Sequence, residues 1–499
     1  MTDIFVEYVS EVYVKVLCED HIMEELSQFF TFYSPGYQWS PAYKAKKWDG
    51  KIRLYHKITR QLYAGLIRYL ITFATERNYT INVEPRIGLL NAFSIEETTE
   101  LVKRLDVWSQ GKPLTPRDYQ LVGIAKAIRY KRMLMLSPTA SGKSYMIYVI
   151  MRHLLEKECK KGLIIVPTTS LVEQMKSDFD DYAHDTWDVS GNVHRIYSGY
   201  ERHNDKPLTI STWQSLNEIK DNSFFTKFDF VFGDEAHGFK AESLKKMMCK
   251  MVNAKYRIGT TGTLDSWKVH KLVIEGLFGP NSKLTTTKRM IDEKQAAELS
   301  IKCLILKHPK EICHIVSKWS IEAYQKEISY LIGSEPRNKF VGNLAVSLKG
   351  NSLLLFQRVE AHGEKLFQLI NSKVAKNRKV FYIHGATETE EREAVREIVE
   401  KETDAIIVAS YGVFSTGVNI RNLHNIIFAS PSKSKVRVLQ SIGRGLRLSE
   451  SKSTMTLYDI ADDLRIDDFI NFTLKHFAAR VKIYKSEEFK ISNYSIELK

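Results

Sequence analysis

Residues 137–146 read "SPTASGKSYM", and most of the chain's architecture follows from how this stretch is understood. Set against the phosphate-loop pattern G-x-x-x-x-G-K-[ST], Gly142, Lys143 and Ser144 fill the last three places, while Ser137 stands where the first glycine belongs. The tripeptide is weak on its own, because roughly one chain in four of this length carries a GK[ST] at average residue usage. Its setting is stronger. "RMLML" before it has the makeup of a buried strand, and "SYMIYVIMRHLLEK" after it has that of a helix. A phosphate loop sits between such elements, with backbone N–H groups of a helix N-terminus turned to the phosphates. Pro138, Thr139, Ala140, Ser141 and Gly142 then form the cradle. Gly142 permits close backbone approach, Lys143 supplies a positive charge to the terminal phosphates, and Ser144 offers a hydroxyl to Mg²⁺. ATP and Mg²⁺ are the expected cofactors.

A second element points the same way. "FDFVFGDEAH" is an apolar strand ending in Asp234 and Glu235. Acidic residues at the carboxyl end of a buried strand lie at the mouth of an α/β sheet, where ligands bind. Asp234 is placed to hold the metal and Glu235 to take a proton from attacking water. An acidic loop with no chemistry accounts for this motif alone, but poorly for both motifs in order on two strands of one sheet.

The rest of the 499 residues sets the frame. Hydrophobic residues make up 43% of the chain, enough to bury substantial cores, and the formal net charge is +14. Such a surplus attracts polyanions, nucleic acid first and an anionic membrane surface second. The five cysteines are odd in number and form no C-x-x-C pair, which argues against a disulfide framework or a zinc site. Asp3 and Glu7 lie where a secretory leader would be basic and then apolar, and no apolar run approaches a bilayer span. A cytoplasmic protein is expected, favoured as a monomer, with no membrane partner.

Up to about residue 90 the pattern is that of a small α+β unit: "EVYVKVLC" a strand, "DHIMEELSQFFTFY" a helix, "KIRLYHKITRQLYAG" a hairpin turning near Thr59 and Arg60, "LIRYLITFATER" a helix and "YTINVEP" a strand. That β-α-β-β-α-β order suits a ferredoxin-like sandwich. Beyond Leu114, short apolar runs alternate with helices, as in a parallel sheet covered by helices. The first series is "MLML", "GLIIVP", "LTIST", "FDFVFGD" and "YRIGTTGT"; a second, "SLLLF", "KVFYIHG", "AIIVAS", "NIIFAS" and "MTLYDI", begins near Asn351. The expected division is residues 1–90 as a nucleic-acid-binding α+β domain, 91–281 and 282–463 as two α/β domains, and 464–499 as a helical, basic tail.

From "DEAH" onward the chain resembles superfamily 2 helicases and translocases, over roughly Leu114 to Asp463. The resemblance implies an α/β fold of two tandem RecA-like P-loop domains, with a small α+β domain ahead of them and a short helical region behind. "PRDYQ" is similar to the adenine-recognition motif, which implies Gln120 and Arg117 on the base. "VPTTSLVEQM" and "ISTWQSL" resemble strand-contacting motifs, which implies Pro167, Thr168 and Thr212 on nucleic acid. "GTTGTL" resembles the motif that links the ATP site to the strand, and "LLLF" resembles motif IV. "SYGVFSTGVNI" resembles motif V, with Ser410 implied on nucleic acid and Gly417 on the nucleotide. "QSIGRGLR" matches Q-x-x-G-R-x-x-R, and the positions i, i+4 and i+7 put Gln440, Arg444 and Arg447 on one helix face. In the family these arginines reach the γ-phosphate from the second domain, so the expected catalytic set is Lys143, Glu235, Gln440, Arg444 and Arg447. The sequence departs from common forms at Ser137, Ala140, "TTGTL" and Asn419, none of which removes a phosphate or metal ligand.

The likeness to recombination helicases of T-even bacteriophages extends over the whole chain. It implies an enzyme of the infected bacterial cell that remodels branched or duplex DNA by junction migration, fork regression and removal of R-loops, in recombination, repair and replication, with RNA–DNA hybrids among its partners.

One stretch bears on substrate. Tyr33 to Arg60 holds seven basic residues, among them Lys44, Lys46, Lys47, Lys51 and Arg53, against one acid, Asp49. It also holds six aromatics, Tyr33, Tyr37, Trp39, Tyr43, Trp48 and Tyr55. Cations bind phosphate and rings stack on exposed bases; equally, the rings could fill the small domain's core while the lysines form a solvated rim. Two alternatives to a DNA helicase stay open on sequence: a DEAH-type RNA helicase, since no motif reports on the 2′-hydroxyl, and a nucleic-acid-binding scaffold with a degenerate ATP site.

Overall fold

The structure, a computed structural model, describes residues 2–88, 90–197, 201, 205–264, 267–375, 377–416, 420, 422–430, 434–447 and 452–498. The chain divides into two compact units, residues 1–137 with 142–284, and 138–141 with 285–499.

The first unit opens with a five-stranded sheet in the spatial order Tyr55–His56, Gln61–Tyr63, Tyr13–Cys18, Ile4–Tyr8, Ile81–Val83. Helices Asp20–Phe29 and Ile67–Glu76 lie among these strands in chain order. The order differs from a ferredoxin-like sheet by one insertion. Ile4–Tyr8 stands between the strands expected first and last, antiparallel to Tyr13–Cys18 and parallel to Ile81–Val83. The hairpin turns where expected, with Arg60 in the left-handed region at φ 54°. Lys51–Arg53 leaves that hairpin and pairs instead with Thr31–Tyr33 in a separate two-stranded ribbon.

The same unit contains a seven-stranded, all-parallel sheet: Val193–Ile196, Leu208–Thr212, Gly162–Val166, Phe230–Gly233, Tyr256–Thr261, Arg132–Leu136, Asn281–Lys283. Its central strands are buried on both faces, which is why they read as continuous apolar runs. One face shares a single hydrophobic core with the amino-terminal sheet, from Ile4, Leu62 and Phe73 through to Leu134, Val231 and Phe278. Polar contacts pin the junction. Tyr69 donates to Glu275 Oε2 at 2.6 Å, Arg132 pairs with Glu11 at 2.7 Å, and Glu11 N–H donates to the Val252 carbonyl at 3.0 Å. The α+β region is thus built into the first α/β sheet.

The second unit carries another seven-stranded parallel sheet: Val380–Ile383, Ile406–Ser410, Ser352–Phe356, Asn425–Phe428, Thr454–Asp463, Glu298–Lys307, Lys490–Glu497. The carboxyl-terminal region supplies a helix, Phe472–Ser486, and adds the last strand to this sheet. The helix is held by buried charge. Arg480 donates to Asp459 at 2.7 Å, and Glu327, 1% exposed, accepts from the backbone N–H of Thr473 at 2.7 Å and of Phe472 at 2.9 Å at the helix start. Nearby Asp462 accepts from Arg337 at 2.8 Å and 3.0 Å and contacts His308 at 3.1 Å. Burial alone would raise the Asp462 carboxyl, but Arg337 and His308 outweigh it and hold it well below the usual range. No described helix is long and apolar enough to cross a membrane.

Candidate ATP site and nucleic-acid interface

Three adjacent strands of the first sheet deliver the site. Arg132–Leu136 leads into the loop, Phe230–Gly233 leads into Asp234, and Tyr256–Thr261 lies between them. All three run parallel, so their carboxyl ends open on one side, where α/β sheets bind ligands. The loop turns back through Ala140 at φ 67° and Gly142 at φ 78°, and the helix Lys143–Lys157 begins directly after Gly142. Ser137 is fully buried and lies outside the left-handed region. Its N–H continues the strand pairing to the Thr261 carbonyl at 3.0 Å, and its own carbonyl accepts from Lys143 Nζ at 3.3 Å. The position lies in an ordinary conformation and offers its N–H and carbonyl to these two bonds, so serine replaces glycine without backbone strain. Ser141 closes the loop by donating its hydroxyl to the Pro138 carbonyl at 2.7 Å.

Gln120 stands against this turn, buried, with its Oε1 accepting from Arg117 N–H at 2.8 Å. A Cβ at Gly142 would run into Gln120 Nε2, so the side chain that is expected on the base also braces the loop. Arg117 donates through Nη1 to the Tyr119 hydroxyl at 2.8 Å.

At the next strand ends, the Thr260 hydroxyl donates to Asp234 Oδ1 at 2.7 Å. Glu235 occupies the left-handed region at φ 47°, a conformation that costs free energy in a non-glycine residue and tends to persist at functional sites. The Thr261 hydroxyl already donates to the Thr263 carbonyl at 3.0 Å, so at 3.2 Å it accepts from His237 Nδ1–H. That same nitrogen lies 3.2 Å from Glu235 Oε2. Burial, and then the neighbouring Glu235, raise the Asp234 carboxyl, with Lys143 and Thr260 acting against them. Ser144 meets the Tyr182 hydroxyl at 3.0 Å. A serine hydroxyl and a carboxylate beside a second carboxylate form a hard-oxygen donor set suited to Mg²⁺.

Thr168 and Thr212 cap the helices that follow neighbouring strands, accepting from Leu171 N–H and Ser215 N–H at 3.4 Å each. Gln214 donates to the Pro167 carbonyl at 3.4 Å, so Pro167, Thr168 and Thr212 share one strand-end region, although Thr212 is buried there. In the second unit Ser410 ends the strand Ile406–Ser410 and is buried. Gly417 and Asn419 lie outside the described residues. Gln440 and Arg444 sit on the helix Lys435–Gly445, which stops before Arg447. The three residues therefore do not all lie on one helix. Arg447 follows the helix end, where the buried Lys452 ammonium donates to the Gly445 and Arg447 carbonyls, the latter at 3.1 Å. Spacing alone gave no sign of Tyr182 or Lys452, and His237, the last residue of "DEAH", had no role assigned.

The basic, aromatic stretch divides. Tyr55 is core, Trp48 is half-buried and donates Nε1–H to the Lys51 carbonyl at 3.0 Å, and Tyr33, Trp39 and Tyr43 are exposed. Lys44, Lys46 and Lys47 are exposed, and Arg53 is paired with Asp49.

Two RecA-like sheets, a phosphate loop and an Asp-Glu strand end define an ATP-dependent helicase of superfamily 2. The comparisons agree. Residues 113–266 match the family "Type III restriction enzyme, res subunit", and residues 337–449 match "Helicase conserved C-terminal domain". Residues 3–84 match "DNA helicase UvsW, N-terminal". The chain is 31% identical to the ATP-dependent DNA helicase uvsW of Enterobacteria phage T4, over 99% of this chain and 100% of that one. The crystal structure of T4 UvsW superposes with a TM-score of 0.54 at 30% identity, covering 100% of both chains. A DNA 3′-5′ translocase of Sulfurisphaera tokodaii is 21% identical over 68% of this chain and 80% of that one. The chain belongs to the UvsW family of superfamily 2 helicases.

Proposed function

We propose that the chain is an ATP-driven motor that remodels branched DNA in a phage-infected cell, by junction migration, fork regression and displacement of R-loops. The observation that carries the ATP chemistry is the Thr260–Asp234 hydrogen bond between the motif strands, beside a loop whose Lys143 is held by Ser137. The name of the T4 relative supports DNA as the substrate.

In this proposal Pro138 to Gly142 cradle the phosphates, Lys143 neutralises them, and Gln120 and Arg117 hold the base. Ser144 and Asp234 hold Mg²⁺, which screens phosphate charge when bound. Glu235 accepts the proton of the attacking water, with His237 Nδ1 3.2 Å from its Oε2. Arg444 and Arg447 stabilise charge on the γ-phosphate, with Gln440 orienting them; such fingers are worth roughly 10³- to 10⁵-fold in rate. Pro167, Thr168, Thr212 and Ser410 meet the DNA backbone, and Lys44, Lys46, Lys47 and Lys51 form the electrostatic footprint of the amino-terminal region. Trp48 and Arg53 support that surface through contacts within it.

ATP turnover is to be measured with matched amounts of four-way DNA junction, linear duplex, single-stranded DNA and single-stranded RNA. Strong stimulation by the junction, with strands released, supports the proposal. Stimulation by RNA alone overturns the substrate while keeping the motor, and turnover that survives Lys143→Ala overturns the motor.

A further inference from the structure

Arg337 lies in the first turn of the helix Glu335–Ser347, in the second unit, and is 1% exposed. One edge of its guanidinium is fully used. Nε donates to Asp462 Oδ1 at 2.8 Å, and Nη2 donates to Asp462 Oδ2 at 3.0 Å and to the Ala429 carbonyl at 2.8 Å. The other edge carries Nη1, which is buried and has no partner among the described residues. A buried charged donor left unpaired is costly, so such a group points to a guest. Arg337 lines a cavity of about 10 Å³, the space of one water molecule. Its walls also include Ile328, Leu331 and Ile332, and two residues just past the ends of neighbouring strands, Gln357 and Ala429. The buried polar groups around it satisfy one another. Gln357 N–H donates to Ser430 Oγ at 3.2 Å. Asn338 Nδ2 donates to the Ile332 carbonyl at 2.9 Å, so Asn338 Oδ1 accepts from His362 Nε2–H at 3.2 Å. Burial pushes the His362 ring down to about 3, so it is neutral, and its Nδ1 accepts from the Ser430 hydroxyl at 3.2 Å.

From this arrangement we infer that the second unit binds one ordered water in the cavity, held by Arg337 Nη1 and bridging to the Ala429 carbonyl and the Gln357 side chain. A carbonyl oxygen accepts two bonds, so Ala429 can serve both Arg337 and the water. The guest is neutral rather than an anion. The charge of Arg337 is already matched by Asp462 across two bonds, and His362 carries none. The three aliphatic side chains in the wall offer an anion nothing in exchange for its hydration. Arg358, also in the wall, is exposed and donates to Gln325 Oε1 at 3.1 Å, so solvent and salt screen its charge. The water completes a polar layer across the carboxyl ends of three adjacent strands, Ser352–Phe356, Asn425–Phe428 and Thr454–Asp463. Arg337 reaches the second through Ala429 and the third through Asp462, and the water adds the first through Gln357.

A high-resolution crystal structure of the full chain, from crystals soaked in sodium bromide and recorded at the bromine absorption edge, tests this. The expected result is one peak of water height, about 2.7–3.2 Å from Arg337 Nη1, with no anomalous signal. An anomalous peak at that place overturns the water in favour of an anion. The absence of any peak overturns the site itself. Arg337→Lys keeps a positive charge for Asp462 but has no second edge to offer the cavity, and its structure is expected to lack the peak. A peak that stays in place in Arg337→Lys overturns Arg337 as the group that holds it. Should the lysine variant not fold, the wild-type map alone decides, since a missing or an anomalous peak there still overturns the inference.

Discussion

Thr260 donates its hydroxyl to Asp234 Oδ1 at 2.7 Å, from the strand that separates the phosphate loop from the acidic motif. The bond fixes the orientation of a carboxylate that is placed to hold a cation. Thr260→Val keeps the shape and removes the donor. A hydrogen bond to a charged group contributes about 1.5–3 kcal/mol. The variant is expected to need several-fold more Mg²⁺ for half-maximal ATP turnover and to turn over about ten-fold more slowly. A magnesium titration of ATPase activity checks both.

The loop's two unusual residues predict opposite outcomes. Gly142 has φ 78°, and a Cβ there would collide with Gln120 Nε2. Gly142→Ala is expected to abolish ATP binding, measured by fluorescence of a labelled nucleotide. Ser137 lies in an ordinary conformation and gives its carbonyl to Lys143. Ser137→Gly is expected to leave nucleotide affinity within about two-fold of wild type, its main effect being a loss of stability near 0.5–1 kcal/mol from added backbone freedom.

These contrasts show what the sequence made legible. The loop and the acidic strand end stood out because phosphate and metal chemistry demand fixed residue types at fixed spacing. The central strands stood out because both their faces are buried. Elements at sheet edges were harder. Val193–Ile196 is "VHRI", too short and polar to stand out, and Lys490–Glu497 is "KISNYSIE", whose solvated face dilutes any period. Glu298–Lys307 sits in a charged, helix-rich stretch, and its pairing with Thr454–Asp463 spans some 150 residues, a distance no local pattern reports. The i, i+7 spacing placed Arg447 on a helix that ends at Gly445. The candidate core of the basic stretch was likewise undecidable from composition, since Tyr55 went inside while Tyr33 and Trp39 stayed out.

Tyr182 gives a prediction of its own. Its hydroxyl lies 3.0 Å from Ser144 Oγ. If Ser144 donates its proton to Tyr182, both serine lone pairs are kept for a metal. Tyr182→Phe is then expected to raise the half-saturating Mg²⁺ concentration several-fold, with nucleotide affinity in EDTA unchanged. A lowered requirement would show that Tyr182 competes with the metal instead.

The amino-terminal region should behave as part of the first motor sheet. Gly65 packs so closely that a Cβ would overlap the Glu275 and Gly276 carbonyl oxygens, which are backbone and cannot swing away. Gly65→Ala is expected to destabilise the fold by about 1–3 kcal/mol. It should also make the segment between the two sheets more susceptible to limited proteolysis. An unchanged melting midpoint with an unchanged proteolytic pattern would mean that the shared core is not cooperative.

Lys452 predicts a pH dependence. It is 3% exposed and donates to the Gly445 and Arg447 carbonyls at the end of the helix that holds Arg444. Burial pushes its ammonium down to about 7, from a usual value of 10.5. The unfolded chain therefore keeps a proton on this lysine between about pH 7 and 10.5, where the folded chain has released it. Stability linked to this group rises with pH across that window, by up to about 1.4 kcal/mol per pH unit, and is flat below it. Deprotonation also weakens the hold on the Arg447 carbonyl, because a neutral amine is the poorer donor. Lys452→Met is expected to lose this contribution to the rise in urea midpoint between pH 7 and 9. It should also lower ATP turnover at pH 7 more than nucleotide affinity, since Arg447 loses its fixed backbone while the phosphate loop is untouched. Lys452→Arg, which stays charged, should lose the pH-dependent part while keeping part of the turnover. Identical pH profiles in wild type and Lys452→Met would show that the lysine is ionised throughout and only packs against the helix end.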